Sequence, residues 1–292
     1  MAMDVRDVVA VAQPTLVEPL ELSSPQVAPD LRAWMGLLDP ALPLSELTIP
    51  GSHNAGATHG GRWVSCQHHA IAEQLAMGIR FLDIRVRAHR GGLGIFHGAH
   101  HQRLDLDDVL TTCASFLRAN PTESVLVCLN QEGGRLGTAD LCRRWAPYRA
   151  RFRNLLTEAG HAPTLAQARG RIIVVTRDPA FTGLDHGSFV VQDDWHIPGP
   201  RVWAARKWPA ISDQLRRARA AKGDGRMWSC FTSSTGWALP PIPAAKLAHR
   251  HLRQHFCELA PTVGERNGVV LVDFAEPDLV SMLAGRNHGV GV

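Results

Sequence analysis

The chain has 292 residues, of which 45% are hydrophobic, and a formal net charge of +4 at neutral pH. That is enough apolar material for a full core and excludes a disordered chain. Lys and Arg are scattered rather than gathered in a stripe, which excludes nucleic acid as an implied partner. No apolar run approaches the roughly 20 residues a spanning helix needs, so any membrane contact is peripheral.

Residues 1–30 read as an irregular, proline-broken N-terminal segment. Pro14, Glu18 and Pro19 interrupt the apolar residues there, so no signal peptide is expected and the chain reads as soluble. Residues 31–292 carry no Gly/Ser linker and read as one domain, a length a single barrel accommodates. β-Rich runs at 45–50, 79–87, 92–98, 124–131, 171–176, 189–193, 226–232 and 268–275 make eight candidate strands. Helical periodicity at 105–119, 138–160, 211–221 and 244–259 alternates with them, with Asn120-Pro121 and Gly160 as stops. The alternation predicts an α/β fold, a single distorted TIM-like (β/α)8 barrel. The link 88–91 is too short for a helix, so the barrel is expected to be irregular between strands 2 and 3. A doubly wound open sheet is the rival topology. Six cysteines show no C-x-x-C pairing and read as buried free thiols.

Polar residues fall at the C-terminal ends of the predicted strands: His53 and Asn54, Asp83 and Arg85, His97, Asn130, Arg177, Asp193 and Asp273. In a barrel those ends converge on one mouth, where active sites of this fold are built. Pro50-Gly51 releases the chain from the first strand, and Gly51 is expected to let the backbone approach a ligand. Two histidines can divide proton acceptance from proton donation near neutrality. Phosphodiester cleavage by a neighbouring hydroxyl needs that division, plus a fixed cation beside the phosphoryl oxygens. His53, His97 and Arg85 are the candidates.

The segments Leu47-Thr48-Ile49-Pro50-Gly51-Ser52-His53-Asn54, Gly78-Ile79-Arg80-Phe81-Leu82-Asp83-Ile84-Arg85 and Phe96-His97-Gly98 resemble the catalytic X region of bacterial phosphatidylinositol-specific phospholipases C. The resemblance continues through Asn120-Pro121-Thr122-Glu123-Ser124, Val191-Gln192-Asp193, Phe231-Thr232-Ser233 and Val272-Asp273-Phe274, and so spans about 34–278. It implies that His53 deprotonates the inositol 2-hydroxyl, Arg85 stabilises the transition state and His97 protonates the departing diacylglycerol oxygen, giving inositol 1,2-cyclic phosphate. It further implies that Asp273 orients the base as a triad carboxylate does, that Asp83 supports Arg85 or His97, and that Arg177, Asp193 and Trp195 meet the inositol ring. Secretion and an inositol phospholipid or glycolipid-anchor substrate are implied by the resemblance alone. A surface ion pair of Arg177 with Asp193, and a space-filling Trp195, are the alternatives.

Two positions depart from the pattern. Asn54 stands where the metal-independent bacterial enzymes usually have Asp, and it matches the calcium-dependent animal enzymes instead. Arg85 occupies the place of an acidic calcium ligand, so calcium at Asn54 and Asp83 is disfavoured and no metal or other cofactor is expected. Asn130 replaces a basic residue and is read as a substrate-binding position with one cation fewer. His59, His68, His69, His100 and His101 lack a clean zinc spacing and are expected to be solvated loop residues. Trp63, Trp237 and Ile242 are expected on the rim of the mouth, where aromatic residues favour a lipid headgroup layer. A monomer is expected. Another phosphodiesterase on the same barrel, acting on glycerophosphodiesters or lysophospholipids, and a non-catalytic headgroup-binding module are the competing functions.

Overall fold

The computed structural model describes residues 30–133, 136–260 and 262–289; apart from Asp30, the expected irregular segment lies outside the described residues. The strands are β1 (Thr48–Ser52), β2 (Phe81–His89), β3 (Gly92–His97), β4 (His100–Asp105), β5 (Val125–Gln131), β6 (Leu156–Thr157), β7 (Ile172–Thr176), β8 (Leu184–Asp185), β9 (Val190–Gln192), β10 (Trp228–Phe231) and β11 (Gly268–Val272). The helices are α1 (Ile71–Ala76), α2 (Leu106–Ala119), α3 (Thr138–Arg151), α4 (Leu165–Ala168), α5 (Pro200–Val202), α6 (Trp208–Ala220), α7 (Pro241–Glu258) and α8 (Pro277–Gly285), with a π-helical turn at Trp203–Lys207 before α6.

The strands form one curled sheet in the order β6-β7-β5-β2-β1-β11-β10-β9, parallel throughout, with β8 also pairing to β7. This is the distorted TIM-like barrel the alternation predicts, and its irregularity lies after the second strand as expected. The third predicted strand is not a barrel stave: β3 runs antiparallel to β2 and pairs with β4, making an outlying hairpin. Among the described residues no backbone ladder joins β9 to β7 or β8, so the ring has an open seam there.

Period-two alternation sorts each strand into an inner and an outer face. Ile49, Phe81, Leu126, Cys128, Ile173, Val175, Phe231, Val269 and Leu271 fill the barrel interior. Leu82, Ile84, Val86, Val125, Val127, Leu129, Ile172, Val174, Val270 and Val272 face the helices. Gly51 belongs to the inner series. A Cβ there would meet Val269, Leu271 and Phe81 at 3.1–3.2 Å, so its small size serves the core and not a ligand. The N-terminal end is closed by Arg80 and Glu123, both fully buried and 2.9 Å apart. Arg80 also donates to the carbonyls of Leu31, Arg32, Leu75 and Ile79, so neither charge is left uncompensated. Removing one partner of such a pair costs about 3–5 kcal/mol.

Boundaries move for local reasons. α2 starts where Asp105 and Asp108 form a capping box. α3 stops short of residue 160 because the chain turns at Phe152 to place β6 beside β7. Of the six cysteines, Cys142 and Cys257 are exposed on the outer faces of α3 and α7, unlike the buried thiols expected; the other four are buried. His100 and His101 lie on β4 and not in a loop, with His101 stacked on His89 at 4.2 Å.

Candidate active site

Each inner-face series ends in a polar residue one step beyond its apolar ones. Ile49 and Gly51 lead to His53, Phe81 to Asp83 and Arg85, Leu126 and Cys128 to Asn130, Ile173 and Val175 to Arg177, and Val269 and Leu271 to Asp273. The register aligns Gly51 with Leu271 and Ser52 with Val272, which brings His53 and Asp273 together, and it aligns Arg85 with Asn130. The site is thus a polar layer laid on an apolar plug.

His53 Nδ1 is 2.7 Å from Asp273 Oδ1. A carboxylate only accepts, so Nδ1 carries the proton. Asn54 Nδ2 donates to His53 Nε2 at 3.2 Å, which marks Nε2 as the lone-pair nitrogen. Burial opposes charge on this imidazole, but Asp273, aided by Asp83 and opposed by Arg85, raises its pKa above the usual 6.5. Asn54 sits at a left-handed φ of 42°, which lets its backbone N–H donate to Asp83 Oδ2 at 3.2 Å. Phe274, next to Asp273, is left-handed too, at φ 49°. Strain of this kind collects beside functional groups.

Asp83 is fully buried. Burial would raise its pKa, but Arg85 overrides it and holds the carboxyl down at about 2. Arg85 donates to both Asp83 oxygens at 3.0–3.1 Å, and Asn130 Nδ2 adds a bond to Oδ1 at 3.1 Å. With Asn54 N–H as well, the carboxylate is enclosed by donors and a guanidinium. That donor set does not fit calcium, which needs free carboxylate oxygens. Arg85 faces the cavity, and Glu132 stands 3.9 Å from it.

His97 closes β3. Its Nδ1 lies 2.6 Å from the Val64 carbonyl, so Nδ1 carries a proton and Nε2 is left for the cavity. Glu132 Oε1 accepts from Gly98 N–H at 2.8 Å and fixes that turn. On the far bank, Arg177 Nε donates to His186 Nδ1 at 2.8 Å, and its guanidinium lies over Phe231 and 3.7 Å from Asp193. Burial, then Arg177, pushes His186 down to about 4, so it stays a neutral acceptor.

A cavity of about 350 Å³ brings together His53, Asn54, Arg85, His97, Asp273, Arg177, Asp193, Trp195 and Trp63. Asp83 and Asn130 lie behind it: Asn130 is buried and steadies Asp83 rather than facing the cavity. Trp237 is 83% exposed beside the mouth, and Ile242 is half-buried in the first turn of α7.

Several cavity residues escape sequence reasoning. Ser233 and Ser234 follow β10, are 4% exposed, and have hydroxyls without a partner that line the cavity, ready for a ligand. The strand-end rule that found Asp273 points to them as well. Cys66 and Glu132 also line it, and no local pattern marks either. Lys207 is fully buried beneath, where its Nζ donates to the Phe231 carbonyl at 2.6 Å and burial pushes its pKa down to about 8.

Comparison with known proteins gives consistent matches. Residues 41–178 match the family described as phosphatidylinositol-specific phospholipase C, X domain. A 1-phosphatidylinositol phosphodiesterase of Listeria monocytogenes is 25% identical over 280 residues, covering 88% of this chain and 85% of the relative. A protein of the same name from Staphylococcus aureus is 26% identical over 156 residues, 49% of this chain and 50% of its own length. The solved structure of the phosphatidylinositol-specific phospholipase C from Listeria monocytogenes superposes with a TM-score of 0.78 at 23% identity, covering 89% of this chain and 99% of that one.

Proposed function

From the chain's membership of the X-domain superfamily of phosphatidylinositol-specific phospholipases C, we propose that it is an enzyme that cleaves phosphatidylinositol, or a related inositol lipid, to diacylglycerol and inositol 1,2-cyclic phosphate. The observation that carries the mechanism is the meeting of Arg85 in one cavity with two histidines whose Nδ1 atoms are each held by a protein acceptor. His53 Nε2 takes the proton of the inositol 2-hydroxyl as that oxygen attacks phosphorus, displacing Asn54 from its lone pair. Asp273 stabilises the imidazolium that forms. Arg85 offsets charge on the phosphoryl oxygens. His97 donates from Nε2 to the diacylglycerol oxygen as the phosphorus–oxygen bond breaks.

Arg177, Asp193, Ser233 and Ser234 supply donors and acceptors for the ring hydroxyls, with Trp195 as a stacking face. Trp63 and Trp237 dip into the headgroup layer at a peripheral membrane surface; no helix among the described residues is long and apolar enough to cross a membrane. Catalysis proceeds without metal, because Arg85 already satisfies Asp83. A metal-dependent glycerophosphodiesterase is disfavoured for the same reason.

Phosphorus NMR of the protein with phosphatidylinositol micelles tests this, run in EDTA and again with added calcium. A cyclic phosphate signal of equal rate in both is expected, and its loss in His53→Ala and His97→Ala. A signal only with calcium overturns the metal-free mechanism, and silence in both overturns the enzyme.

A further inference from the structure

A ring nitrogen of His53, the thiol of Cys66 and a carboxylate oxygen of Asp273 all lie within 4.8 Å of one another. Cys66 Sγ is also 3.7 Å from His97 Nδ1. Zinc bonds of about 2.3 Å to sulfur and 2.0–2.1 Å to nitrogen at a tetrahedral angle separate the two ligand atoms by about 3.5 Å. Imidazole, thiolate and carboxylate are zinc's ligand types, whereas calcium avoids sulfur and nitrogen.

The three groups are also free to respond. Among the described residues the Asp273 carboxylate accepts from His53 alone, unlike the enclosed Asp83. Among the described residues the Cys66 thiol makes only long contacts, 3.7 Å to the Val64 carbonyl and to His97 Nδ1 and 3.8 Å from Asn54 Nδ2. It lines the cavity, so an ion reaches it by the substrate's route. A second cluster, His89, His101 and Asp105, is less suited: its two rings stack at 24°, and near-parallel imidazoles do not aim their nitrogens at one point.

We propose that the cavity captures one thiophilic divalent cation, of the zinc type, on His53, Cys66 and Asp273, and that the captured ion blocks turnover. Cys66 loses its proton to solvent as the sulfur–metal bond forms. His53 then ligates through Nδ1 with its proton passed to Nε2, so neither ring nitrogen can accept a further proton, and Asp273 no longer orients it. The metal is an inhibitor and not a cofactor. The blocking step rests on the phosphodiesterase reading; the binding step does not.

Zinc chloride is titrated into the full chain by calorimetry, and cobalt(II) chloride by absorption, where a thiolate charge-transfer band reports sulfur ligation. One ion per chain and a thiolate band are expected. Affinity should fall by more than about tenfold in Cys66→Ala and stay unchanged in Cys142→Ser, whose thiol is exposed on α3. Zinc should suppress phosphatidylinositol turnover competitively, with recovery in EDTA. Unchanged affinity in Cys66→Ala, or stimulation by zinc, overturns the proposal. Should Cys66→Ala not fold, the wild-type cobalt spectrum decides alone, since a bound ion without a thiolate band is not on Cys66. If the protein binds metal with that band yet cleaves no phosphatidylinositol with or without it, the site stands and the phosphodiesterase reading falls.

Discussion

His53 works against its own surroundings. A buried imidazole resists protonation, and Asp273 reverses that by holding Nδ1–H at 2.7 Å. A base must be neutral to accept a proton, and its pKa is raised, so kcat/KM should climb with pH through a point above 6.5. In Asp273→Asn the burial effect loses its main opponent. The acid limb should therefore move to lower pH, and kcat should fall by roughly 100-fold or more. A limb that stays in place would show that it belongs to another group. The residue types at strand ends are enough to find His53, Asp83, Arg85 and Asp273, because period-two alternation forces such residues to the mouth once the preceding ones are core; His97 reaches the mouth by another route, since β3 runs back antiparallel beside β2. The same rule finds Asn130 but reads it as a substrate-binding position, whereas it donates to Asp83: sequence does not say that Asp83 needs a third donor. Cys66 could not be found at all, since its place depends on how residues 55–66 loop back to the cavity.

Strands with apolar interiors were legible as elements, and elements whose stability comes from their neighbours were not. The run His100-His101-Gln102-Arg103-Leu104-Asp105 shows no strand pattern, yet it forms β4 because β3 offers it an edge. α8 was hidden for the opposite reason: it is buried almost all round, so it lacks the polar face that periodicity detects. The loop after β10 illustrates a third case. Gly236 and Leu239 bond to each other in a tight hairpin, Leu239 is buried, and a Cβ on Gly236 would strike the Ile197 carbonyl at 2.0 Å. That anchoring leaves Trp237 projecting at the tip, 83% exposed. On phosphatidylinositol vesicles Trp237→Ala should lower turnover by about tenfold, equivalent to roughly 1.4 kcal/mol of lost surface binding, while turnover of a short-chain monomeric substrate stays the same. An equal loss on both substrates would place Trp237 in the fold or the chemistry instead of on a membrane.

Across the whole molecule, the sequence indicated eight staves and the protein closes fewer of them. The hairpin takes the third predicted strand out of the ring, and the seam between β9 and the β7–β8 edge takes the place of a closing ladder among the described residues. Arg177 follows β7 and Asp193 follows β9, so their 3.7 Å pair is a clasp across the gap. A ligand that grips both residues inserts itself into that clasp, and its binding energy goes partly into holding the two banks at one width. Amide hydrogen exchange reads this directly. Saturating myo-inositol should slow exchange in β8 and β9 and leave β1 and β11 as they were, and Arg177→Ala should abolish the slowing; uniform protection, or none, would mean that the seam carries no load. Slowing confined to β8 and β9 would make the open side of the barrel a spring, with a ligand on Arg177 and Asp193 felt as tension in strands that line no part of the cavity.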